Sequence, residues 1–144
     1  MTRLLPLLAT LLLGGCLAPD EISVDDAWVR LSAVKGNPAS AYFTVHGGPA
    51  DATIIAVTSD VSIKSEMHET MDKGGMSTMT PLTRVEIPAN TDVAFAPGGR
   101  HVMLFDMNSG IKPADRVTLT FAFADGTRII NNATVVAAGT PVGK

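Results

Sequence analysis

The chain has 144 residues, which fits one domain and leaves little room for a second. Hydrophobic residues make up 46% and charged residues 17%, a balance that excludes a disordered chain. A formal net charge of -3 gives no basic footprint for nucleic acid, and a single Cys excludes any disulfide within the chain.

In chain order, residues 1–15 read as a secretory signal: Arg3 is a short positive n-region and Leu4 to Leu13 an apolar stretch. Ten apolar residues ending at Gly14-Gly15 are too few to span a bilayer as a helix, which needs about 20. Leu13-Gly14-Gly15-Cys16 resembles the bacterial lipobox, so Cys16 is the expected lipidation site and 16–21 a lipidated tether. A lipid-anchored Cys16 leaves the folded domain, expected over 22–138, without a thiol, with 139–144 as a tail. Cysteine nucleophilic catalysis and thiol redox chemistry then drop out.

Beyond residue 22 the sequence alternates short Val-, Ile-, Thr- and Phe-rich runs with Gly, Pro, Asn and Asp clusters. Strands are expected at 23–30, 40–46, 52–58, 61–69, 76–80, 92–96, 101–106, 116–123 and 128–136. The clearest period of two sets Val117, Leu119, Phe121 and Phe123 against Arg116, Thr118 and Thr120. No stretch holds a helical period, so the expected fold is all-β: an antiparallel Greek-key sandwich or barrel.

Six of the seven Met lie between residues 67 and 107, together with His68 and His101. Met is a common filler of cores. Met71 and Met76, however, flank Asp72-Lys73-Gly74-Gly75, which reads as an exposed loop where packing gives no reason for a thioether. His101 and Met103 are two residues apart on an expected strand and so share a face, while Val102 and Leu104 take the other. His68 and Met79 flank the Gly-containing loop, whose folding back would bring them near that strand end. Two imidazoles and two neutral thioethers favour Cu(I), whereas zinc recruits thiolate or carboxylate and magnesium or calcium recruits oxygen. Glu66, Glu69, Asp72 and Asp106 are the nearby carboxylates that could offset the ion's charge.

The spacing His68, ten residues, Met79, twenty-one residues, His101-Val102-Met103 resembles the motif of the periplasmic copper chaperones of the PCuAC domain type. Asp26-Ala27-Trp28, Ala41-Tyr42, Met67-His68-Glu69, Ile87-Pro88-Ala89 and the run from Pro97 to Leu104 extend the resemblance over about residues 22–136. It implies a cupredoxin-like or Ig-like β-fold that binds Cu(I) at a solvent-accessible site and passes it on. The family's usual recipient is the dinuclear copper centre of cytochrome c oxidase, reached through a subunit or its assembly factors. The resemblance carries His68, Met79, His101 and Met103 over as ligands; the polar Lys73-Gly74-Gly75 departs from the pattern and leaves Met71 and Met76 as substitute donors. His46 falls outside the motif and reads as a surface residue, and Trp28 and Tyr42 as core or rim aromatics. No carboxylate pair and no Ser-His-Asp arrangement marks an enzyme. Copper storage without delivery would use the same ligands, and a metal-free adhesion or assembly module would leave the Met cluster unexplained.

Overall fold

The computed structural model describes residues 21–141; the signal segment, the tether from Cys16 to Asp20 and the last three residues of the tail fall outside them. Ten strands follow in order: β1 (Ser23–Arg30), β2 (Ala39–His46), β3 (Ala52–Ser59), β4 (Ser62–Lys73), β5 (Met76–Leu82), β6 (Val85–Ile87), β7 (Asp92–Phe95), β8 (Arg100–Met107), β9 (Arg116–Phe123) and β10 (Arg128–Val136). They form one ladder, β5-β4-β8-β2-β1-β10-β9-β3-β6, with β7 paired to β2. Among the described residues no helix is long and apolar enough to cross a membrane.

The ladder curls because both of its broad halves carry an apolar face that must leave water. The Ser65 hydroxyl of β4 donates to the Val57 carbonyl of β3, so the two ends of the curl meet. Inside lie Phe43, Phe95, Phe121, Ile54, Ile87, Leu104 and Leu119, all essentially inaccessible. Phe43 stacks on Phe95 with ring centroids 4.3 Å apart and meets Phe121 edge-on at 4.7 Å. Strand β9 buries Val117, Leu119, Phe121 and Phe123 and leaves the intervening residues half-exposed, matching its period of two.

Three local features depart from the sequence expectation. Strand β1 pairs parallel with β10, so the sheet is not wholly antiparallel. Strand β6 is an additional three-residue element whose Val85 and Ile87 point inward against β3, too short a run for period-two reading. The segment after His68 is not an open loop that folds back: β4 continues to Lys73 and returns directly as β5. Gly74 and Gly75, at φ 60° and 80°, close this hairpin as a two-residue turn in the left-handed region, where glycine carries no steric penalty. Pro81 is accommodated in β5 because that strand lies at the edge and owes no ladder bond on its outer side.

At the far end of β2, His46 bridges two other strands. Its Nδ1 is 2.8 Å from Asp92 of β7, and its Nε2 is 2.9 Å from Asp25 of β1. The Asp25 contact lies off the ring N–H direction, so it acts as an ion pair rather than an aligned hydrogen bond. Asp25 and then Asp92 raise the His46 pKa above its ordinary 6.5. A raised folded-state value means the clamp stabilises the fold fully below the unfolded imidazole pKa and is lost as pH rises through the folded one. Urea unfolding of wild type and His46→Gln should therefore show a wild-type advantage of at most about 1 kcal/mol below about pH 6, screened by solvent and salt. That advantage should vanish at alkaline pH; one that grew with pH would contradict the clamp.

Candidate metal centre

Antiparallel pairing without a register shift fixes which side chains share a face of β5, β4 and β8. His68 lies directly opposite His101 on β8 and Pro81 on β5; Glu66 lies opposite Met103, and Thr70 opposite Met79. Directly paired residues point the same way, and alternate residues along a strand do too. His68, His101, Met103 and Met79 therefore stand on one face, the side away from Met67, Val102 and Leu104 of the core. Met103 is two residues along β8 from His101, and Met79 is diagonal to His68 toward the hairpin tip. The imidazoles form the centre, with one thioether on each flank.

The two rings are 5.9 Å apart between centroids and inclined by 32°. Imidazoles that share one ion through nitrogens at about 2.0 Å have centroids about 5–6 Å apart, so the spacing suits a common ligand. Both rings are oriented by acceptors. His101 is buried at 5% exposure, and its Nδ1–H donates to the Gly99 carbonyl at 3.1 Å, which leaves the Nε2 lone pair free. The same carbonyl accepts the Thr70 N–H at 3.1 Å, tying β4 to the start of β8. His68 donates from Nε2 to Glu66 at 3.0 Å, so Nδ1 carries its lone pair; that nitrogen is buried with no hydrogen-bond partner. An orphaned, acceptor-type imidazole nitrogen beside a second imidazole is a donor set without an acceptor.

Glu66 is held as a carboxylate, its pKa lowered first by Lys64, 2.6 Å away, and then by His68. Of the four carboxylates expected nearby, Glu66 and Asp72 share the His face. Glu69 lies on the reverse face, where Arg100 binds it at 3.2 Å. Asp106 is off this face too, at φ 51° beside the cleft that Leu31 and Ile111 line.

The methionine cluster divides three ways. Met67 is buried in the core and Met107 packs against it. Met79 and Met103 flank the imidazoles. Met71 and Met76 face the reverse side, opposite Thr78 and Lys73, and so stand apart from the His68 group. Among the described residues no three His, Cys, Asp or Glu side chains gather as a metal site, so a soft-metal centre here depends on the thioethers. Sequence reading took Trp28 and Tyr42 as core or rim aromatics and did not place them beside the site: Tyr42 lies 6.4 Å from His101, Trp28 packs on Tyr42 at 4.4 Å, and Arg30 sits over both rings. Its signal was the cross-strand pair Trp28 and Tyr42, visible only once the register is known. The clefts near His46, Val34 and Trp28 include none of the four donors.

Similar proteins were found by sequence and by structure. The chain is 30% identical over 109 residues to "Putative lipoprotein Lxx21020" of Leifsonia xyli subsp. xyli. The match covers 75% of this chain and 65% of that relative, so the chain spans just under two thirds of its length. The fold resembles the "Copper-bound PCuAC domain from PmoF2" at a TM-score of 0.66 and 22% identity, covering 83% of this chain and 96% of that one. It resembles CuI-DR1885 from Deinococcus radiodurans equally, at 0.66 and 22%, over 85% and 83%. A family model described as "Putative lipoprotein LpqE-like" matches residues 22–135. That match takes in all ten strands but the last residue of β10, and it establishes that the chain belongs to the LpqE-like family.

Proposed function

We propose that this chain is an extracytoplasmic copper carrier rather than an enzyme, binding Cu(I) through His68, His101, Met79 and Met103 and handing it to another protein. The observation that carries this reading is the shared face of the four donors, with the unpartnered Nδ1 of His68 beside His101. Two solved domains of the same fold are described as copper-bound and as a Cu(I) form, which supports the choice of metal.

The chemistry follows from the donor types. Thioethers are soft and neutral and need no deprotonation, so they hold Cu(I) at any pH. Imidazole binds only through a lone pair, which Gly99 and Glu66 expose by taking the opposite N–H of each ring. His101 is buried and oriented, while Met79 is 50% exposed on an edge strand. A buried inner donor and an exposed outer one would let an incoming protein replace ligands stepwise from the exposed side. Cys16 would anchor the carrier to a bacterial membrane by lipid, and the dinuclear copper centre of cytochrome c oxidase is the proposed destination.

Cu(I) affinity, measured against a competing chelator, should fall on acidification, because protons compete for imidazole nitrogens and not for thioethers. An affinity independent of pH would remove the histidines from the site. Delivery is tested in a deletion strain: loss of oxidase activity restored by added copper supports transfer, whereas copper sensitivity with normal oxidase supports sequestration.

A further inference from the structure

The hairpin of β4 and β5 carries more exposed apolar surface than its packing explains. Seven large hydrophobic side chains are exposed among the described residues, and three of them are Met of this one hairpin: Met71, Met76 and Met79. Met79 belongs to the face already described. Met71 and Met76 are 40% and 75% exposed on the reverse face, and neither belongs to the buried core. Met71 pairs with Thr78 and Met76 with Lys73, so the two are diagonal neighbours across the ladder. Diagonal positions lie about 7–8 Å apart at the backbone, within reach of two long side chains. The two-residue Gly74-Gly75 turn pins that register.

We propose that Met71 and Met76 form a second, weaker site for Cu(I), a two-thioether landing point distinct from the His68 centre. This rests on the copper reading of that centre. Two soft neutral donors suit a monovalent soft cation that accepts low coordination numbers, and they exclude hard divalent ions, which need oxygen. With half the donors and with Lys73 opposite Met76, the pair binds less tightly than the four-donor face. No strand covers the outer side of β5, so only the width of one edge strand separates the pair from Met79. Copper arriving at the hairpin tip would pass around that edge, remaining Cu(I) throughout with no electron or proton transferred.

The test is a titration of methyl-13C-methionine-labelled protein with Ag(I), a redox-silent stand-in for Cu(I), read by NMR. Met79 and Met103 methyl signals should move with the first equivalent, and those of Met71 and Met76 with the second. Met71→Leu/Met76→Leu should lose the second event and keep the first. Signals of Met71 and Met76 that stay fixed in excess silver, while Met79 and Met103 respond, overturn the second site alone. Movement of all four with one equivalent overturns it too, by merging the pair into the main centre. Silence of Met79 and Met103 instead overturns the copper assignment of the main face.

Discussion

Replacing His101 and Met103 together by alanine is expected to abolish tight Cu(I) binding, by a hundredfold or more, equal to about 2.8 kcal/mol. The double change removes two of four donors from one strand, and it removes the one that is held most firmly. His101 is buried, and its Nδ1–H is committed to Gly99, so its Nε2 lone pair is presented without reorganisation. Met103 shares that face but is half-exposed, while Val102 and Leu104 between and beyond them keep the strand in the core. The fold should survive, because the apolar side of β8 is untouched. Circular dichroism of the variant checks this, and unchanged copper stoichiometry in a folded double variant would refute the ligand assignment.

Phe43→Ala should cost about 3–5 kcal/mol of folding stability, the range for truncating a buried aromatic. Phe43 is 2% exposed and is the common partner of Phe95 and Phe121. Its removal deletes a stacked and an edge-on contact and leaves a cavity that three strands cannot close together. Domains of this size hold only about 5–15 kcal/mol in all, so the loss would be a large share of the total. The neighbouring Tyr42 points to the opposite side of β2, where it packs near His101. Loosening β2 should therefore also weaken copper binding at temperatures near the variant's midpoint. Urea unfolding measures the effect, and a change below about 1 kcal/mol would show that the ring is not central to the core.

Much of the fold was legible because the buried strands obey simple periods. Strand β9 alternates without interruption, and β1, β2, β3 and β10 begin and end within one residue of the bounds expected from the sequence. Strand β6 was not legible, since Val85 and Ile87 supply only two inward residues and gain strand character from β3. The parallel union of β1 with β10 was also hidden, because it joins the first and last strands and no local pattern records it. The hairpin misled for a chemical reason. Asp72, Lys73 and two glycines have the composition of a loop, yet two glycines with positive φ are also what a tight hairpin turn requires.

The candidate site was legible in its residue types but not in its layout. Spacing nominated His68, Met79, His101 and Met103, and strand alternation alone could pair His101 with Met103. Placing His68 beside His101 required the β4–β8 register, which depends on Met67 and Val102 meeting in the core. The β4–β5 register separates Met79 from Met71 and Met76, a distinction that composition cannot make because all three are exposed thioethers on polar segments. The Gly99 acceptor that orients His101 was invisible because it is a backbone carbonyl, and Glu66 was legible as a nearby carboxylate but not as the acceptor that orients His68.

The most direct test of the copper centre is X-ray absorption on the protein loaded with one equivalent of Cu(I) near neutral pH. The predicted spectrum contains both nitrogen and sulfur neighbours, two of each, with the sulfur shell lost in Met79→Leu/Met103→Leu. A copper shell of oxygen and nitrogen alone, or a sulfur shell unchanged in that variant, would contradict it.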